Sequence, residues 1–128
     1  MYRVQAIVAT LFMLISTAAS AATEVENIRI WSEDGRTRVV LDLSRPSDHK
    51  IFTLRAPDRL VVDLKDGRLS QSDSALPSAA GSVSAIRTGV RANGQLRVVL
   101  DLSESVRSRS FAAGPNSSYG DRLVIDLF

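Results

Sequence analysis

A near-duplicate inside the chain constrains its fold more than any other feature. Arg38-Val39-Val40-Leu41-Asp42-Leu43-Ser44 recurs letter for letter as Arg97-Val98-Val99-Leu100-Asp101-Leu102-Ser103, 59 positions later. Asp58-Arg59-Leu60-Val61-Val62-Asp63-Leu64 returns as Asp121-Arg122-Leu123-Val124-Ile125-Asp126-Leu127, 63 positions later. The second copy has therefore gained four residues, which fall at Gly114-Pro115-Asn116-Ser117-Ser118, where added loop length costs little. Upstream, Val25-Glu26-Asn27-Ile28-Arg29 aligns with Val83-Ser84-Ala85-Ile86-Arg87, and Asp34-Gly35 with Asn93-Gly94. The period is too long for a solenoid unit, so the chain reads as one supersecondary unit present twice.

Each unit alternates with period two. Val39, Leu41 and Leu43 point one way and Arg38, Val40 and Asp42 the other; Leu60, Val62 and Leu64 oppose Arg59, Val61 and Asp63 in the same manner. Helical spacing is nowhere sustained, and Pro46, Pro57, Pro77 and Pro115 all lie outside these runs, as sheet interior requires. Asp-Gly and Asn-Gly suit type I′ hairpin turns, because both tolerate positive φ. The pattern predicts an all-β chain in which half one spans residues 25–68, half two spans 83–128, and a Ser/Ala-rich connector covers 69–82. Two halves of about four strands, each with one apolar face, bury those faces against each other as a sandwich.

Residues 1–21 stand apart. Arg3 precedes an apolar run at residues 6–15, and a weakly polar small-residue stretch follows, with Ala19 and Ala21 placed for signal-peptidase cleavage before Ala22. The run is shorter than the roughly 20 residues that span a bilayer, so a cleaved secretory leader is expected, with no stable membrane anchor afterwards. Residues 22–128 then form the exported domain, and losing Arg3 takes the formal charge from +2 to +1. Such balanced charge lacks the basic stripe that releases counterions from phosphates, which argues against nucleic acid. With no cysteine, the domain relies on its apolar core alone. One histidine, His49, leaves little room for a zinc site or a Ser or Cys triad, and no cofactor is expected. His49 reads as an exposed or capping residue.

The outward faces carry the remaining chemistry. Both copies keep Arg-x-x-x-Asp twice, as Arg38/Asp42 and Arg59/Asp63, then Arg97/Asp101 and Arg122/Asp126. Four residues apart on a strand means one face. If the two motif strands of one half are neighbours, each solvent face gathers two guanidinium groups and two carboxylates. One reading is a cross-strand ion-pair ladder; the other is a ligand surface for a polar polymer, since Arg forks match carboxylates and Asp accepts from hydroxyls and amides. Trp31 is placed outward or at a strand end, where it caps the sandwich edge or stacks on a sugar ring.

These same residues give the chain a family likeness. Residues 25–31, Thr37-Arg38-Val39-Val40-Leu41-Asp42-Leu43-Ser44, His49-Lys50-Ile51-Phe52-Thr53-Leu54 and Pro57-Asp58-Arg59-Leu60-Val61-Val62-Asp63-Leu64 resemble the AMIN domain, as do Ile86-Arg87, residues 96–103 and 121–127. That domain is the N-terminal module of periplasmic N-acetylmuramoyl-L-alanine amidases and occurs in type IV pilus secretins. The resemblance implies a sandwich of two symmetry-related four-stranded sheets, a periplasmic location, peptidoglycan binding and septal targeting. It carries the ligand-binding role onto Arg38, Asp42, Arg59, Asp63, Arg97, Asp101, Arg122 and Asp126. Zinc is implied only for an amidase domain, whose His and Glu ligands this sequence lacks, so the chain itself is expected to be non-catalytic. The alternative is a protein-interaction module of an envelope assembly, binding divisome or other envelope proteins through an edge strand.

Overall fold

A computed structural model describes residues 10, 13–15, 22–72 and 75–128; the expected leader and its cleavage point lie outside the described residues except at 10 and 13–15. Nine strands run in chain order as β1 (Thr23–Glu33), β2 (Arg36–Leu43), β3 (His49–Leu54), β4 (Arg59–Leu64), β5 (Gly67–Leu69), β6 (Val83–Val90), β7 (Leu96–Leu102), β8 (Ser108–Ala113) and β9 (Asp121–Leu127). They form a five-stranded sheet, β5-β1-β2-β9-β8, and a four-stranded sheet, β3-β4-β7-β6. The fold is all-β and sandwich-like. The three-residue β5 runs parallel to the start of β1 and makes the first sheet one strand wider.

The alternating residues face as their pattern dictates. Val39, Leu41, Leu60, Val62 and Leu64 from half one and Val98, Leu100, Leu123, Ile125 and Leu127 from half two are at most 1% exposed and form one core between the sheets. Each such side chain contributes roughly 1.5–3 kcal/mol of burial free energy, which offsets the absence of disulfides.

The distribution of the halves departs from expectation. The motif strands of one half are not neighbours: β2 pairs with β9 and β4 with β7, so each half gives one hairpin to each sheet and the two halves interlock. The reason is loop length. Were β4 beside β2, with β3 paired antiparallel to β4, β3 would run parallel to β2, and a parallel connection needs a crossover of a dozen or more residues. Only residues 44–48 join β2 to β3, and only 103–107 join β7 to β8. Such short links can turn from one sheet to the opposite one but cannot return beside it. A pseudo-twofold relation follows, exchanging β1 with β6, β2 with β7, β3 with β8 and β4 with β9. Even the register shifts match, between Val25 and Asn27 in one copy and Val83 and Ala85 in the other.

The two hairpin turns differ. Asp34 and Gly35 have φ of 51° and 73°, as a two-residue type I′ turn demands. In the other copy only Gly94 is left-handed; Gly94 N–H donates to Arg91 O at 2.9 Å and Arg91 N–H to Gln95 O at 2.8 Å. Asn93 therefore does not open a type I′ turn as expected. It belongs to a longer loop closed by a left-handed glycine, and its Oδ1 accepts from Gln95 N–H at 3.1 Å.

The connector is tied down at its far end. Thr37 Oγ1 on β2 is buried and accepts from Ser82 N–H at 3.0 Å and from Ser82 Oγ at 3.2 Å, locking the approach to β6 onto the opposite sheet. Gly81 makes this possible: its φ is +51°, and an alanine Cβ there would collide with Thr37 Oγ1 and come within 2.9 Å of Ser32. Gly81→Ala is expected to cost about 2 kcal/mol, from the left-handed backbone and the displaced hydrogen bonds, read as a lower urea midpoint with an unchanged slope.

Candidate functional site

The eight motif residues all lie on strands β2, β4, β7 and β9 at outward positions, and the interlocked pairing decides their partners. Arg38 Nε and Nη2 donate to the two oxygens of Asp126 at 2.7 and 2.9 Å, across the β2–β9 junction. Its symmetry mate is Arg97 with Asp63 at 2.9 and 2.9 Å across β4–β7, where Arg91 adds a longer contact at 3.5 Å. Antiparallel register puts an arginine at the start of one motif strand opposite an aspartate at the end of the other. Asp63 and Asp126 are each only 4% exposed. The Arg97 guanidinium holds Asp63 below the usual carboxylate range, and the Arg38 guanidinium does the same for Asp126, in both cases against the opposing effect of burial. These four residues staple half one to half two.

Asp42 and Asp101 have other partners. Arg29 on β1 clamps Asp42 at 2.8 and 2.9 Å, and Arg87 on β6 clamps Asp101 at 2.8 and 2.8 Å. Arg87 lowers the Asp101 carboxyl below its ordinary value. The signal for Arg29 and Arg87 was present in the repeat, which places an arginine at the same position of both opening strands.

Arg59 and Arg122 differ from the rest. Among the described residues neither has a carboxylate within salt-bridge distance; Arg59 Nε donates to Pro57 O at 3.1 Å, and Arg122 to Gly120 O at 3.4 Å and Gly114 O at 3.2 Å. Each sheet therefore presents on its outer face two clamped carboxylates and one arginine that faces a clamped carboxylate across the strand pair, Arg59 opposite Asp101 and Arg122 opposite Asp42, without closing a salt bridge to it; Arg59 nonetheless helps to lower the Asp101 carboxyl. Lys50 and Arg91 near Asp63, and Arg36 and Arg109 near Asp126, add further positive charge.

Aromatic rings lie among these cations. Phe52 is 5.5 Å from the Arg97 guanidinium carbon and its mate Phe111 is 5.9 Å from that of Arg38. Beneath them Val61 and Val124, though facing outward, are nearly fully buried by this layer. Trp31 lies outward on β1 opposite Arg38 rather than at the end of its strand, and is 39% exposed. His49 opens β3, is exposed, and its Nδ1 lies 3.1 Å from Ser47 O, a local turn contact. No three His, Cys, Asp or Glu side chains gather to hold a metal ion among the described residues.

Comparison with known proteins places this arrangement. The chain is 30% identical over 125 residues, 92% of its length, to N-acetylmuramoyl-L-alanine amidase AmiC of Escherichia coli, and 30% identical over 128 residues, 93% of its length, to the protein of the same name from Neisseria meningitidis serogroup B. It spans 29% and 31% of those two relatives, less than a third of either. Residues 27–127, which hold eight of the nine strands whole or nearly whole and every staple described above, match the family model of the AMIN domain, and the chain belongs to that family.

Proposed function

We propose that this chain is a non-catalytic targeting module that holds a cell-wall amidase on peptidoglycan through the outer faces of its two sheets. The observation that carries the reading is the repetition of one polar layer on opposite sides of a rigid body, each with an arginine that closes no salt bridge among the described residues, Arg59 on one face and Arg122 on the other. Peptidoglycan offers repeating hydroxyl, acetamido and carboxylate groups. Arg29, Arg87 and the clamped carboxylates supply donors and acceptors at fixed spacing, and the Arg59 and Arg122 guanidinium groups take carboxylates. Two weak faces on one body gain by avidity on a repeating polymer. Likeness to proteins named as N-acetylmuramoyl-L-alanine amidases supports the cell wall as the partner. In this reading the module is exported to the periplasm behind a cleaved leader, carries no cofactor, and leaves hydrolysis and zinc to an amidase domain.

The direct test is cosedimentation of the chain with protein-free sacculi over a salt series. The chain is expected to pellet at low ionic strength and to be released as salt screens the guanidinium–carboxylate contacts. Retention in the supernatant at every salt concentration would point instead to a protein partner in the envelope.

A further inference from the structure

The two outer faces are symmetry mates in their ion pairs and in Phe52 and Phe111 but not in their remaining rings, and the difference is concentrated at one place. Trp31 pairs with Arg38 on β1–β2; the matching position, paired with Arg97 on β6–β7, is Gly89. The four residues gained by the second copy build the β8–β9 loop, and that loop brings Tyr119 to the five-stranded sheet, with no counterpart in the short β3–β4 turn. Tyr119 is held in place: Asn116 Oδ1 accepts from Ser118 and Tyr119 N–H at 2.8 Å each, and Asn116 N–H donates to Tyr119 O at 2.8 Å. Its ring centre is 4.5 Å from the Arg29 guanidinium carbon and 5.3 Å from that of Arg122, while the Trp31 ring is 6.0 Å from Arg29. Under this cover the Arg29 side chain is 27% exposed, whereas its mate Arg87 is 59% exposed. Trp31 and Tyr119 nevertheless keep 39% and 45% of their own surface open to solvent.

We infer that the five-stranded sheet alone carries a sugar-stacking platform, formed by Trp31 and Tyr119 about Arg29, which takes pyranose rings of the glycan strand. This rests on the wall-binding reading above and adds which face reads the sugar. The chemistry fits a pyranose better than a protein surface. A sugar ring has an apolar C–H face that lies on an aromatic ring and a rim of hydroxyl and acetamido groups that a guanidinium can bond. Here the two exposed rings flank a guanidinium already fixed by Asp42, so little ordering cost remains on binding. Beside them Arg122, which closes no salt bridge among the described residues, complements the carboxylates that the polymer carries. On the other sheet the Gly89 position offers no ring and no loop supplies a mate for Tyr119, so the ring left among the cations of that face is Phe52, beside Arg97 and Lys50.

Trp31 is the sole tryptophan, so the platform reports on itself. The chain is titrated with soluble, peptide-free glycan strands while Trp31 emission is followed, and pelleting on protein-free sacculi is measured in parallel. Wild type should show a saturable emission change. Tyr119→Ala should weaken glycan binding about tenfold and Trp31→Gly, which copies the mate position, should weaken pelleting to a similar degree. Phe52→Ala on the four-stranded sheet should weaken either reading clearly less than Tyr119→Ala does; equal melting temperatures verify the folds. If wild type pellets with sacculi but Tyr119→Ala and Trp31→Gly pellet as well as it does, the platform is wrong and wall binding stands. If Phe52→Ala weakens binding as much as Tyr119→Ala, the asymmetry is wrong. If wild type does not pellet at all, both readings fall.

Discussion

Replacing Arg38 and Arg97 together by alanine should lower the unfolding free energy by about 4 kcal/mol, roughly 2 from each site, and leave little folded protein at moderate temperature. Each change removes the bidentate partner of a carboxylate that is 4% exposed, leaving Asp126 without a salt bridge among the described residues and Asp63 with only its longer 3.5 Å contact to Arg91. A fully buried unpaired charge costs about 3–5 kcal/mol, and a figure below that range applies because the arginine side chains remain 29% and 30% exposed, so water enters when they are cut back. The sites lie in different sheets and share no partner, so the costs should add. The sign of the pH dependence follows from the depressed carboxyls. Asp63 and Asp126 titrate lower in the folded chain than unfolded, so their stabilisation is complete above the unfolded value of about 3.9 and is lost as pH falls through the folded one. Wild type should therefore weaken below about pH 4, and the gap between wild type and the double variant should narrow from pH 7 to pH 3. Urea unfolding at both pH values measures this; a gap unchanged at pH 3 would mean the staples are not what holds the halves together.

The second large effect is on binding. Arg59→Glu combined with Arg122→Glu should cost about a hundredfold or more in affinity for sacculi, because each face loses a cation and gains repulsion toward the polymer's carboxylates. The cost in stability should be modest, about 1 kcal/mol per site, since neither arginine is within salt-bridge distance of an acid; it is not zero, because the new glutamates face Asp101 and Asp42 across the strand pairs and Arg122 also lies over the Tyr119 ring. These positions are cleaner probes than Asp42 and Asp101, whose reversal would also unclamp Arg29 and Arg87.

Much of the fold is legible in the sequence. Alternation assigned Val39, Leu41, Leu60 and Val62 to the core because a strand's side-chain period leaves no other face for them. The Asp34-Gly35 turn followed from the φ that those residues tolerate. What the motifs alone did not reveal is which half supplies the neighbour. An arginine at one end of a motif strand meets an aspartate at the other end of its antiparallel partner whether Arg38 faces Asp63 or Asp126, so charge pairing is indifferent to the choice. The short links at residues 44–48 and 103–107 decide it, through the length a parallel crossover needs.

The candidate site was legible in its positions but not in its roles. Eight residues kept by the duplication divide into four that staple the halves, two carboxylates that fix Arg29 and Arg87, and two arginines that close no salt bridge among the described residues. A repeat reports which positions both copies share; it says nothing of Tyr119, which exists only in the loop that breaks the repeat. The same holds for Asn93, where the same-looking Asn-Gly pair sits in a loop longer than its mate.

The central claim is that the outer faces bind the wall, and the measurement that bears on it most directly is a binding isotherm on protein-free sacculi at low salt. Wild type, Arg59→Glu, Arg122→Glu and the double variant would be compared, each with its unfolding curve. Wild type should bind, each single variant should lose affinity with the greater loss for Arg122→Glu, and the double variant should fall to background while its unfolding curve shows it still folded. A folded double variant that pellets as wild type does would contradict the account, and the shared arginines and aspartates would then be structural ladders only.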